Sequence, residues 1–510
     1  MAALDDELDD ILETLAYVKR RRNSAAPIAR LPPEILMYIF QELKAASYQF
    51  YLFESGWISV TYVCHSWRTI ALECASLWCV LDLGHLTISW AQESLRRSKQ
   101  APLTINNLYI CDDDDNDSSA YRFLQDLVAS RPQQLKALDI FASWSPRAIS
   151  FLLSSNSRFS SLEALEIQTE NSDKVSLSSF STFFANLRRL TFTRISLTGK
   201  VTTPLYNLTS LTFFDAGGNP GPRIPSSVFS SILHNTPALQ ILNLTDAFPF
   251  PADQHTSHNI TLPACLSKMT MRCTHRVQDC VDFHNILKIS PLTDTNIIIE
   301  SATVSPSTIS DLLAPYSHKP LFAFSILISH NYAVFRFGYL PWSPSEGDAP
   351  LPPPPGLNVR IVNVLPLLPE LCSSIPLEVV SVLTIEDREK RHMPELRAIV
   401  LARARNVRHL RVVDMDAMSL LALLGGGGGG AATAPEAWPS LEILSIVEST
   451  DAPGSCDELF LRKPDIFRRR RARGKPIREV RLPERFFPSH VVRKLEHEGI
   501  GVKASRAGYY

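Results

Sequence analysis

The apolar positions of this chain follow three regimes. Over residues 4–22, Leu4, Leu8, Ile11, Leu15 and Val18 recur at steps of four, three, four and three. That is the spacing of a heptad seam, and it predicts one helix. Acids crowd its start, and Lys19, Arg20, Arg21 and Arg22 close it, an order that suits the helix dipole. About two heptads are too few for a self-sufficient coiled coil. The seam is therefore expected to dock on the rest of the chain, with dimerisation as the alternative.

The second regime, residues 28–83, reads as a compact, aromatic-rich helical unit. Leu31, Pro32, Pro33 and Glu34 open a helix, because proline is tolerated in a first turn and an acid suits its positive end. Ile35, Leu36, Ile39, Phe40 and Leu43 recur at i, i+1, i+4, i+5 and i+8, giving one apolar face. An aromatic insert over 48–53 follows, then a second helical stretch with Val60, Val63, Cys64 and Trp67. A third short segment carries Leu77 and Trp78.

The third regime is repetitive. The six-residue pattern apolar-x-x-apolar-x-apolar begins at Ile105, Leu135, Leu162, Leu187, Leu208, Leu239, Val380, Val407, Leu441 and Ile477. Successive starts lie 30, 27, 25, 21 and 31 residues apart, then 141, then 27, 34 and 36. Periods of roughly 20–30 residues mark leucine-rich solenoids, in which a strand and a helix together cover one apolar face. Helices are expected over 148–153, 180–185 and 228–233, and looser matches at Leu321 and Val359 lie in the long gap. The position that usually holds Asn or Cys is Asp113, Ser143, Glu170, Ile195, Ala216 and Ala247, so an irregular array is expected. The segments 341–356, dense in proline, and 425–430, all glycine, read as loop and linker.

Composition narrows the function classes. With 45% apolar and 20% charged residues, the chain has material for a real core, which excludes global disorder. Lys and Arg number 51 against 52 Asp and Glu, a balance that argues against a protein built to neutralise phosphate. Nine cysteines in 510 residues exclude a disulfide scaffold and fit a reducing compartment. The first ten residues hold five acids and no basic start, unlike a secretory signal. No stretch is apolar enough to cross a bilayer. An intracellular, cytoplasmic or nuclear protein is expected, leaving the sequons at Asn207, Asn243 and Asn259 unused.

Residues 28–83 resemble the F-box, carried by Ile28; by Leu31, Pro32, Pro33, Glu34, Ile35 and Leu36; by Ile39 and Phe40; by Val63, Cys64, His65, Ser66, Trp67 and Arg68; and by Leu77 and Trp78. An F-box before irregular leucine-rich repeats is similar to the fungal-type F-box class. The fold class expected is α/β: a small all-α module over 28–83 followed by a leucine-rich-repeat-like solenoid. The division would be a helix over 1–22, the F-box, repeats over 99–424 with the proline-rich loop at 341–356, a glycine-rich linker over 425–435, and further repeats with a basic loop over 436–510. The resemblance implies a module that docks the Skp-type adaptor of an SCF ubiquitin ligase, and through it a cullin. The adaptor-facing candidates are Leu31, Pro32, Glu34, Ile35, Leu36, Ile39, Phe40, Val63, Cys64, Trp67, Leu77 and Trp78. The insert from 44 to 56 is longer than in the plainest F-box and shifts what the second helix presents.

Candidate chemistry is sparse. Cys64 and His65 are adjacent on an expected helix and do not face each other. The spacing of Cys265, Cys273, His275, Cys280 and His284 lacks the short knuckle that places two thiolates on one zinc ion. The acidic run 112–117 lacks the sixth-position glycine and the closing glutamate of a calcium loop. The glycine tract is followed by no Lys-Ser/Thr pair, and no hydrolase or kinase motif occurs. No cofactor and no metal are expected, and the chain reads as a non-catalytic adaptor.

The target would sit on the strand face, where alternation turns the pattern's third and fifth residues outward. Candidate target-binding residues are Asp139, Glu166, Arg189, Asn243, His409, Arg411 and Arg481, with acids early and bases late. Two alternatives stay open: an interaction scaffold that does not degrade its partner, and a nuclear, nucleic-acid-associated protein. The latter would use a basic loop, the nine Lys and Arg between 463 and 481.

Overall fold

The computed structural model describes residues 2–49, 56–84, 86–111, 119–143, 146–154, 159–170, 174–176, 184–199, 201, 204–215, 224–249, 260–290, 292–301, 304–305, 307–314, 321, 323–329, 332–338, 357–362, 372–373, 375–387, 403–413, 424, 438–447, 465–484, 487 and 490–505. The segments 112–117, 341–356 and 425–435, and most of the helix expected over 180–185, lie outside them. The chain divides into two compact units, Met1–Thr209 and Ser210–Tyr510.

The first unit opens with helix α1, Ala2–Ser24, as the heptad spacing predicts. The expected docking does not occur. Leu4, Leu8, Ile11, Leu15 and Val18 are 46–68% exposed, so the seam meets no core of its own chain. A 3-10 turn at Pro27–Arg30 leads into α2, Pro33–Gln49. A second 3-10 segment, Gly56–Tyr62, then precedes α3, His65–Glu73. The single second helix expected through Val60 and Trp67 is therefore broken. Ile58, Val60, Thr61 and Val63 are β-branched and resist an α-helical run. Cys64 is extended (φ −159°, ψ 167°) and caps α3, its Sγ accepting from the Trp67 N–H at 3.5 Å. It is a cap, not a member of the helix's apolar face.

The module is not all-helical either. After a turn at Ala75–Leu77, Val80–Asp82 forms strand β1. Helix α4, Ile88–Arg97, follows, then β2, Leu103–Cys111; α5, Ser119–Ser130; β3, Leu135–Ser143; α6, Pro146–Ser154; and β4, Ala164–Thr169. Next come β5, Lys174–Ser176; β6, Arg189–Thr193; and β7, Ser196–Thr198. β1, β2, β3, β4 and β6 form one parallel ladder, and β5 and β7 a small parallel pair. On the covered face lie Ile105, Leu138, Ile140, Leu165, Ile167, Leu190 and Phe192, all buried. Phe123, Leu124, Leu127 and Val128 of α5 pack into this core.

The second unit runs β8, Ser210–Phe214; α7, Ser226–His234; β9, Ile241–Thr245; β10, Ile260–Thr261; β11, Lys268–Cys273; α8, Val277–Asn285; β12, Leu287–Lys288; and β13, Asp294–Ile299. It continues through α9, Thr308–Leu313; β14, Ala323–Ser329; β15, Tyr332–Gly338; β16, Leu357–Val362; β17, Val382–Asp387; β18, His409–Val413; and β19, Ile443–Val447. It ends with α10, Asp465–Ala472; β20, Glu479–Pro483; α11, His490–His497; and β21, Gly501–Ser505. Its main sheet has the order β8, β9, β11, β13, β16, β15, β14, β17, β18, β19, β20, β21. Every neighbour pair is parallel except those made by β15, which is antiparallel to β14 and to β16. Among the described residues, the stretch between the sixth and seventh patterns thus holds two more parallel strands of the main sheet, β11 and β13, a small parallel pair, β10 and β12, and a three-stranded meander inserted in reverse order.

Side chains at the strand ends hydrogen-bond from one turn to the next. Thr169 Oγ1 donates to the Arg194 carbonyl at 2.7 Å, and Ser143 Oγ to Glu170 at 2.7 Å. Asp246 is buried in the left-handed region (φ 48°) and accepts from the Thr274 N–H at 2.9 Å. The segment with the arginine run is the helix α10, not the loop expected. Arg470 is buried and donates to the Trp438 carbonyl at 2.8 Å, while Arg468 pairs with Glu498 at 2.5 Å.

Candidate functional site

The helical module closes around its tryptophans. Phe40 meets Trp67 at 5.1 Å between ring centroids, and Trp57 meets Trp78 edge-on at 5.1 Å. The Trp78 indole N–H donates to the Ala71 carbonyl at 2.8 Å, joining α3 to the turn after it. Lys44 is buried. Its ammonium donates to the carbonyls of Leu77 at 2.7 Å and Val80 at 3.2 Å and stands 5.2 Å from the centre of the Trp57 ring. A cation held by two carbonyls and an aromatic face fixes α2 against the start of β1.

This core divides the apolar face of α2 into two stripes. Leu36, Phe40 and Lys44, four residues apart, turn inward and are buried. Ile35, Ile39 and Leu43, at the same spacing one position earlier, stay 47%, 40% and 41% exposed. Tyr38, Tyr62, Val63 and Ile28 are exposed as well. Of the adaptor-facing candidates, Pro32, Glu34, Ile35, Ile39 and Val63 are exposed, while Leu31, Cys64 and Trp67 are half-buried. Leu36, Phe40, Leu77 and Trp78 are corrected: they form the module's own core and offer no surface. Sequence reasoning missed Lys44, whose charge hides its role, and Leu43, whose i+8 spacing from Ile35 already marked it.

Residues 28–83 match the F-box-like family. The module is an F-box-like domain. No curated protein matches the chain. An F-box-like domain points to an adaptor role of the SCF type in general, and such domains bind Skp-type adaptors. The F-box-like domain here is followed by mixed α/β structure with parallel-strand sheets. Among the described residues no helix is long and apolar enough to cross a membrane.

The strand faces carry the remaining candidates. In the first unit Asp139 lies beside Glu166 in register, and Ala164 separates Arg189 from Ala137. Asn107, in the left-handed region (φ 53°) at a bulge in β2, donates its N–H to Asp139 at 3.2 Å and its side-chain amide to Asp82 at 2.8 Å. Burial raises the Asp139 carboxyl, with Asp82 adding to it. Burial and then the charge of Asp139 raise Glu166. Tyr109 and Phe141 stack at 5.2 Å on neighbouring strands.

In the second unit the side chain of Asn243 donates to Thr212 at 3.2 Å, and no charged residue stands beside it in register. Arg411, Ser445, Arg481 and Lys503 line up across four strands. Burial works to raise the Glu479 carboxyl, but hydrogen bonds from Lys503 and Arg481 outweigh it and hold it below its usual range. His409 is corrected. It is buried, its Nε2 is 2.7 Å from Ser445 Oγ, and burial, with Arg481 and Arg411, lowers its pKa to about 3. It contributes no surface to a target.

The cysteine-histidine cluster comes together only in part. The buried thiols of Cys273 and Cys280 meet, and their hydrogen bond and burial raise Cys280 well above its ordinary range, while Cys265 is exposed and burial lowers the pKa of His284 to about 4. Among the described residues no three His, Cys, Asp or Glu side chains gather as a metal site.

Proposed function

We propose that this chain is the substrate-recognition subunit of an SCF-type ubiquitin ligase. The F-box-like domain docks a Skp-type adaptor, and through it a cullin, with the exposed stripe Ile35, Ile39 and Leu43 together with Pro32, Glu34 and Val63. The observation that carries this reading is that stripe: three large apolar side chains partly exposed on a helix whose neighbouring stripe closes an aromatic core. A domain of about fifty residues that keeps such a stripe outside its core is built to bury it on a partner. The parallel ladders are the strands of an irregular leucine-rich-repeat solenoid. Their strand faces bind a protein target, through Asp139, Glu166 and Arg189 in the first unit and Asn243, Arg411 and Arg481 in the second. The chain itself does no chemistry; it raises the effective concentration of the target near the ubiquitin carrier.

The test is affinity capture of the intact chain with the proteasome blocked. Wild type brings down adaptor, cullin and target. Asp139→Lys with Glu166→Lys, and separately Arg411→Glu with Arg481→Glu, lose target while keeping adaptor. Unchanged targets in both sets, with loss on changing the helical face instead, refute the strand-face assignment. A target that is captured but whose half-life is unaffected by deleting residues 28–83 favours the scaffold reading. The nucleic-acid reading has lost ground, since Arg468 and Arg470 of the arginine run are engaged within the chain.

A further inference from the structure

We propose that α1 pairs antiparallel with α1 of a second copy of this chain. The helix presents Leu4, Leu8, Ile11, Leu15 and Val18 as an exposed seam, with Leu12 and Tyr17 exposed beside it. Its charges are segregated. Asp5, Asp6, Glu7, Asp9, Asp10 and Glu13 lie in the first half, and Lys19, Arg20, Arg21 and Arg22 within the last six residues. A parallel pair sets acid against acid and base against base. An antiparallel pair sets each acidic half against a basic end.

The register follows from the heptad. Leu8 and Leu15 occupy the first core position, and Leu4, Ile11 and Val18 the second. In an antiparallel pair these alternate across the interface: Leu8 meets Val18 of the second copy, and Leu15 meets Ile11 of the second copy. The flanking positions then match in charge. Asp5 faces Lys19 of the second copy, Glu7 faces Arg21 of the second copy, and Leu12 faces its own counterpart at the two-fold axis. Only three residues, 25–27, lie between the end of α1 at Ser24 and the match that begins at residue 28, so the pair carries two F-box-like domains in one particle.

The full chain, measured by sedimentation across a wide concentration range, should show a monomer–dimer equilibrium. Leu8→Glu with Leu15→Glu should abolish the dimer while leaving unchanged the melting temperature read at concentrations below the wild-type dimer Kd, because the seam touches no core of its own chain. Asp5→Lys with Glu7→Lys should raise the dimer Kd roughly tenfold or more, and adding Lys19→Glu with Arg21→Glu should restore it. A chain that stays monomeric at every concentration overturns the proposal, as does a dimer that survives the two glutamates. A dimer indifferent to the first charge reversal, or not rescued by the second, overturns the antiparallel pairing. Neither variant touches the stripe on α2, so adaptor capture is unchanged whichever way these results fall.

Discussion

The two stripes of α2 differ by one position along the chain, and that difference separates binding from stability. Ile35, Ile39 and Leu43 are 47%, 40% and 41% exposed. Fully burying an isoleucine or leucine contributes about 1.5–3 kcal/mol, so covering the exposed part of each adds about 1 kcal/mol. Replacing all three by alanine should therefore weaken adaptor binding by about 3 kcal/mol, roughly a hundredfold in Kd. Folding stability should fall by less than a core truncation costs, because each of the three residues is already 40–47% exposed in the free chain. Leu36→Ala, one residue away, should do the opposite. Leu36 is buried among Phe40, Trp57 and Trp78, and emptying that site costs about 2–5 kcal/mol of folding free energy. Titration calorimetry against a Skp-type adaptor reads the first quantity, and thermal unfolding of the free chain reads the second. If the triple variant binds within about threefold of wild type and remains folded, the stripe is not the docking surface. If Leu36→Ala leaves the melt unchanged, the assignment of core and surface on α2 is reversed.

Lys44→Met keeps the length of the side chain but strands the carbonyls of Leu77 and Val80, and should lower stability by about 1–3 kcal/mol, seen as an earlier thermal midpoint. An unchanged midpoint refutes the anchoring role. His409 and His284 have pKa values lowered to about 3 and about 4 from an ordinary 6.5, so the unfolded chain takes up protons that the folded chain refuses. Stability is therefore full above about pH 6.5 and falls as pH drops toward 4 and then 3. Denaturant midpoints should decline through that window, and His409→Gln should flatten part of the slope. Imidazole resonances of His409 titrating near 6.5 in the folded chain contradict its burial.

Much of this was legible in the pattern of apolar residues. All ten six-residue patterns start inside a strand of the two main ladders or no more than two residues before it, because their fourth and sixth residues are the ones that the sheet buries. Strands were missed where the buried face includes methionine or threonine. β11 turns Met269 and Met271 inward, and β13 uses Thr295, with Thr293 just before it donating to the Leu266 carbonyl at 2.9 Å. β1 has three residues and no period to detect. The site was legible as a family resemblance but not as a surface, since Ile35 and Leu36 are equally apolar in sequence. Which of them faces the core is decided by where Trp57, Trp67 and Trp78 converge, a tertiary fact. His409 fails for a related reason. Alternation assigns a face only where one side is wet, and on the outward side of β18 and β19 Val413, Ser445 and Val447 are buried as well, leaving Arg411 half-buried among them.

The joint between the F-box-like domain and the first ladder bears on how such an adaptor would work. The match ends at residue 83, and Val80–Asp82 within it is already a strand of the sheet, paired in register with Thr104, Ile105 and Asn106. Lys44 of α2 holds the carbonyl of Val80, and the Asp82 carboxylate takes the side-chain amide of Asn107 at 2.8 Å. Among the described residues, the Lys44–Val80 contact joins the helix that carries the exposed stripe directly to the strand that begins the row Asp82, Asn107 and Asp139. Proximity catalysis gains from such a joint, because a bound target explores only the volume that the joint allows, and a narrow volume means a high effective concentration. The same rigidity restricts which lysines of a target can be reached. On the proposed reading, selectivity for the modified site would rest partly on the Lys44–Val80 contact, which the Asp82–Asn107–Asp139 hydrogen bonds connect to the candidate target face.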